Sequence, residues 1–324
     1  IIRASSKISE FYRHCTRRTD DKIRHCRANP ERLKWGMRKA SPAIGYIYMC
    51  VSALAFAGHN AFAVLSYQGG GTLLTLLTAR MVFALIILAI FMKLSGLVIT
   101  LPRKQRYTAL GLGFMNAIMA FALMSSFDYV AVGMAILVFY LYPVFTGIGA
   151  WITGQEKLDR GLIVGVVGGF LGLALALRIT GETTNAIGIA LAAFASLIMA
   201  AIALMSARIL KTDNARSVTL HMQVSGVVLF LTISTIAGHV DFAETTSGWI
   251  GFAGVLACYT IAVASFFTGI AHIGAVRASL VMNLEPIATI TLGFVVLGQV
   301  LTPRQLAGAA VVIAAVTAIK WLGR

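Results

Sequence analysis

Within Val276 to Leu301, a run apolar enough to enter a bilayer, stand Asn283, Glu285 and Pro286. A carboxyl at membrane depth costs at least ~2.5–3.5 kcal/mol on insertion scales, so it needs a partner, a wet cavity or a task. The proline removes a helix donor and frees the carbonyl of Met282, which something else must then satisfy. A second charge, Arg80, interrupts another apolar run. At the helical rise, Glu285 lies about 14 Å and Arg80 about 12 Å into their spans from opposite sides, both near the middle of a ~30 Å core. Two chemistries fit. One is a structural ion pair that neutralises both groups. The other is a cavity-lining pair that holds the two ends of a zwitterion or exchanges a proton, since intramembrane charges are functional candidates. His59, Asn60, Asn116 and Asn283 are the next polar candidates, and joining helices is the plainer role for each. Tyr142, with Phe139, Tyr140 and Phe145, flanks a second intramembrane proline, Pro143. That aromatic patch could stack a planar cargo or simply pack. Pro143 and Pro286 are expected to break their helices.

Several other chemistries are excluded. The chain has no G-x-x-x-x-G-K-[ST], H-E-x-x-H or G-x-S-x-G, so nothing points to nucleotide hydrolysis, a zinc protease or a serine hydrolase. His14-Cys15 and His25-Cys26 fit no common zinc spacing, so neither a metal nor a cofactor is expected. His221 and Gln223 fall in the first turns of an apolar run, where interfacial solvation is the expected role. Gly69-Gly70-Gly71 reads as a turn between two spans.

The elements that must position these residues are membrane helices. The chain is 58% hydrophobic and 12% charged, with a mean hydropathy of +0.85, which marks a polytopic membrane protein. Ten apolar runs approach the ~20 residues needed to cross hydrocarbon: 43–65, 72–93, 107–126, 131–153, 161–178, 186–207, 217–238, 247–270, 276–298 and 303–321. Thr302-Pro303-Arg304-Gln305 forms a capping box with proline at the first helical position. Gly161, Gly165, Gly168, Gly169 and Gly172 predict a closely approached helix face. Residues 1–42 hold twelve Lys/Arg against four acids and read as a solvated tail. Translation from Met37 would make most of that tail dispensable.

The stretch at 276–301 has a counterpart exactly 143 residues earlier: Ala135, Leu137, Val138, Leu141, Pro143 and Thr146 align with Ala278, Leu280, Val281, Leu284, Pro286 and Thr289. The chain is therefore an internal duplication, of residues 43–178 onto 186–321. Five spans per copy is odd, so the second copy enters the membrane inverted. Inverted repeats with a site at their interface are an architecture of secondary transporters. The basic residues of the loops and tail crowd one side, leaving Arg178 and Arg304 on the other. This predicts that both termini are cytoplasmic, and it assigns the charge to the membrane surface, not to nucleic acid.

The same residues resemble a known family. Ala131 to Pro143 followed by Gly154-Gln155-Glu156-Lys157-Leu158, and Leu284-Glu285-Pro286 followed by Leu297-Gly298-Gln299-Val300-Leu301, are similar to the EamA-type transporters of the drug/metabolite transporter superfamily. Arg80 also fits that pattern, whereas Gln299 replaces the usual acid that Glu156 supplies in the first copy. The resemblance implies an all-α fold of ten transmembrane helices in two inverted five-helix repeats. It also implies export of small metabolites or drug-like compounds across a bacterial-type inner membrane. A channel is the alternative, and an intramembrane enzyme a more distant one. The cargo, the coupling ion and any homo-oligomer stay open.

Overall fold

The computed structural model describes residues 42–130, 132–157, 160–176, 185–211, 214–238, 241–297 and 302–322. The basic tail before Pro42, Arg178 and the Gly298-Gln299-Val300-Leu301 motif lie outside them. The described residues form twelve helical segments: α1 (Pro42–Gln68), α2 (Leu73–Leu94), α3 (Arg103–Ser126), α4 (Val132–Phe139), α5 (Tyr142–Ile152), α6 (Arg160–Ala176), α7 (Ala186–Ile209), α8 (Ala215–Ala237), α9 (Thr246–Ile273), α10 (Ala275–Val281), α11 (Leu284–Leu297) and α12 (Pro303–Leu322). Short polar side chains set several starts. Asn185, Asn214 and Thr245 accept bonds from Ile187, Arg216 and Gly248 backbone N–H groups, satisfying donors that a helix start leaves orphaned. The capping box is present: Gln305 accepts from the Thr302 N–H at 2.9 Å while Thr302 Oγ accepts from the Gln305 N–H at 3.3 Å.

Large apolar side chains such as Ile47, Leu54, Ile86, Phe121 and Ile236 face outward, while alanine and leucine fill much of the interior. That distribution suits a bilayer, where association depends on close packing of small residues. The chain is an integral multi-pass membrane protein. Ten full-length spans are not what the described residues form. Seven stretches are long and apolar enough to cross, and the segments at Arg160–Ala176 and Pro303–Thr317 are shorter. The remaining expected span, 276–298, is divided between α10 and α11.

The fourth and ninth expected spans both break, but not at their prolines. The chain leaves helical geometry at Tyr140–Leu141 and Met282–Asn283, and Pro143 and Pro286 fall in the first turns of α5 and α11. Proline is tolerated there because its missing N–H belongs to the unpaired set. The Met282 carbonyl is not left free, since it accepts the Glu285 N–H at 2.9 Å.

Under the 143-residue offset α2 is equivalent to α8 and α6 to α12, and each of these pairs packs against itself. Both run antiparallel. Thr78 meets Ser234 at 2.9 Å while Gly226 lies against Met81. Gly168 lies against Ala315 while Gly172 lies against Gly308 and Val312. Self-pairing of equivalent helices is what an in-plane two-fold axis requires. The α1–α9 pair is matched by α7–α3 in the same way. The triple glycine is more than a turn: Gly70 has φ +95°, Gly69 O accepts from the Glu244 N–H at 2.7 Å, and the Thr72 N–H donates to Asp241 O.

Candidate functional site

The α1 segment carries His59 and Asn60 on consecutive positions, and α2 carries Arg80 about two turns from its start. Their side chains form a directed chain of hydrogen bonds to α11. A guanidinium only donates, so Arg80 Nη1 gives its proton to His59 Nε2 at 2.6 Å. That fixes the imidazole proton on Nδ1, which donates to Asn60 Oδ1 at 3.1 Å. The Asn60 amide then donates to Glu285 Oε1 at 3.2 Å and approaches Thr289 Oγ at 3.5 Å. Tyr140 also interacts with the carboxyl. Glu285 lies in the first turn of α11, where the helix dipole favours an anion.

The two charges are therefore joined through His59 and Asn60, and not by a direct ion pair, which was one of the two arrangements that the sequence allowed. Arg80 has a second support. Its guanidinium carbon sits 4.6 Å from the centroid of the Tyr259 ring, within cation–π range. The hydroxyl of Tyr259 reaches Gln223 at 3.4 Å, and Arg80 Nε is buried without a partner among the described residues. Glu285, Asn60 and Arg80 are each half-buried, so each keeps part of its surface accessible.

Not every expected residue joins this chain. Tyr142 is buried and donates to the Ser279 carbonyl at 3.3 Å, linking α5 to α10. Its ring packs with those of Phe139 and Tyr140 at 5.6 and 5.8 Å. Asn283 is 2% exposed, with its amide nitrogen against Gly169 of α6 and its Oδ1 without a partner among the described residues. Asn116 is half-buried in the middle of α3 and stands outside the chain. Gln223 is not solvated at an interface, because 2% of its surface is exposed and it bonds Tyr259. His221 donates from Nδ1 to the Ser217 carbonyl at 2.8 Å and is half-buried on α8.

Sequence reasoning missed Tyr259, and had not tied Tyr140 and Thr289 to Glu285. The offset carries a signal for them. Tyr259 is the equivalent of Asn116, Tyr140 of Asn283 and Gln223 of Arg80. Applied to the rest of the site, the offset gives Ile202 for His59, Ala203 for Asn60 and Tyr142 for Glu285. The duplicated scaffold thus carries a single polar chain, whose basic end comes from the first repeat and whose acid comes from the second.

A family model described as the EamA-like transporter family matches residues 43–178 and, a second time, residues 186–321. Among solved structures, a chain described only as a crystal structure of a protein is 16% identical, with a TM-score of 0.70. That match covers 84% of this chain and 96% of the other, a likeness of fold. No curated protein matches.

Proposed function

Since the chain belongs to the EamA-like transporter family, it is a membrane transporter, and we propose that it is a secondary carrier exporting small amine-bearing metabolites by alternating access. The observation that carries this reading is the Arg80–His59–Asn60–Glu285 chain at the junction of the repeats. In it a cation with an unused buried donor and an acid at a helix start are held apart by two neutral side chains. A zwitterionic cargo supplies a carboxylate for Arg80 and an ammonium for Glu285. Each charge then gains the partner that its desolvation demands. A proton on Glu285 competes with the ammonium, which supplies coupling.

The packing supports a state closed at one end. The α10 segment packs against α5 and α7, and the equivalent packing of α4 on α11 and α1 is marginal among the described residues. With the basic loops in the cytoplasm, as positive charge in loops favours, the path is closed on the cytoplasmic side of the site, which then faces outward across an inner membrane. Gly274, at φ +81° between α9 and α10, is the pivot. Glu156 lies against it from the first repeat.

The test is an export screen in cells expressing the protein, with and without a proton gradient. Saturable export of an amine-bearing solute that collapses with the gradient is expected. Unsaturable flux carried as single-channel current indicates a channel instead.

A further inference from the structure

A cleft of about 960 Å³ opens at the end of the bundle that carries the basic loops. Its apolar wall comes from Tyr46 and Ile47 of α1 and Val316 and Thr317 of α12. Ile47 is 62% exposed, and α1 and α12 each pack on other partners, chiefly α9 and α6. The wall therefore continues onto the surface that faces lipid. Lys211, at the end of α7, and Arg277, in α10, line the polar end of the same cleft. Arg277 is half-buried, and neither cation has a hydrogen-bond or ion-pair partner among the described residues. Glu156 also lines the cleft and is engaged elsewhere, with Oε1 beside Gly274. His272 spends one ring nitrogen on the Thr268 carbonyl at 2.7 Å.

This is not the transport site. Tyr46 stands thirteen residues before His59, about 20 Å along the helix, and buried Met49 and Ala53 lie between them. A half-buried arginine without a partner among the described residues favours a nearby anion. An opening toward the bilayer, apolar along one wall and cationic at its surface end, matches an amphiphile with an anionic head. We propose that this cleft is a binding site for an anionic phospholipid, with its phosphate between Lys211 and Arg277 and an acyl chain along Tyr46, Ile47 and Val316. Arg277 lies three residues past the Gly274 pivot, so the bound headgroup also holds α10 against its neighbours. The proposal does not depend on the identity of the cargo.

Native mass spectrometry of the full chain, purified in a mild detergent and exposed to phosphatidylglycerol or phosphatidylcholine, tests it. The wild type should retain phosphatidylglycerol selectively. The Lys211→Gln/Arg277→Gln variant should retain it on the order of tenfold less, whereas Glu285→Gln, which alters the central site, should retain it fully. Lys211→Gln alone, an exposed change, should give an intermediate loss and serves if the double variant does not fold. Equal retention of the two lipids, or retention unaffected by either variant, overturns the proposal. Displacement of the lipid by millimolar inorganic phosphate also overturns it, in favour of a soluble anion.

Discussion

His59 is where the Arg80–Glu285 connection is most easily broken. Because Arg80 donates to it and it donates to Asn60, His59→Ala leaves a buried guanidinium donor unpaired. The expected cost is about 1–3 kcal/mol, read as a lowered midpoint of thermal unfolding in detergent. His59→Gln, whose carbonyl still accepts from Arg80, should recover part of it. Asn60→Ala should destabilise less, because it disconnects Glu285 without stripping Arg80 of its acceptor. A loss for Asn60→Ala greater than that for His59→Ala contradicts this order. Both ends of the chain and both of its links were legible as residue types out of place in apolar runs. Their connection was not, because Asn60 and Glu285 lie 225 residues apart and no local period relates them. Tyr259 was invisible for a different reason: a tyrosine in a hydrophobic helix needs no explanation until a cation is found on its face.

The broken helices carry the next scale. Pro286 stands in the first turn of α11 and not at the break itself, so Pro286→Ala should favour a continuous helix through Met282 and Asn283. The variant should insert normally but transport more slowly, which flux per inserted molecule measures. Unchanged flux means that the break does not contribute to the cycle. The α6–α12 interface gives a sharper structural test. A side chain at Gly172 would meet Val312 at 2.8 Å and the Gly308 carbonyl at 3.0 Å. Gly172→Leu should therefore destabilise by about 1–3 kcal/mol or more, whereas the same change at Gly111, which has open space, should be tolerated. The glycine stripe and the capping box were legible because each rests on a local pattern. The exact break points were not, since prolines mark where a helix can restart and tertiary packing decides where it stops.

At the scale of the whole molecule, the duplication was the most legible feature. A constant 143-residue register survives whatever the side chains do, and the self-packing of α2 with α8 and α6 with α12 follows from it. The one-sidedness of the polar site was present in the same register, at Ile202, Ala203 and Tyr142, but becomes meaningful only once the chain of bonds is seen. Orientation is tested with reporters fused after Lys211 and after Asp241, which should report cytoplasm and exterior respectively. The reverse pattern overturns the assignment of the closed end. The central claim, that Glu285 and Arg80 bind cargo and do not merely brace the bundle, is met most directly by one comparison. Reconstituted Glu285→Gln/Arg80→Gln should be as abundant and as folded as the wild type, yet carry no amine-bearing cargo down an imposed gradient. Full flux by that double variant contradicts the account.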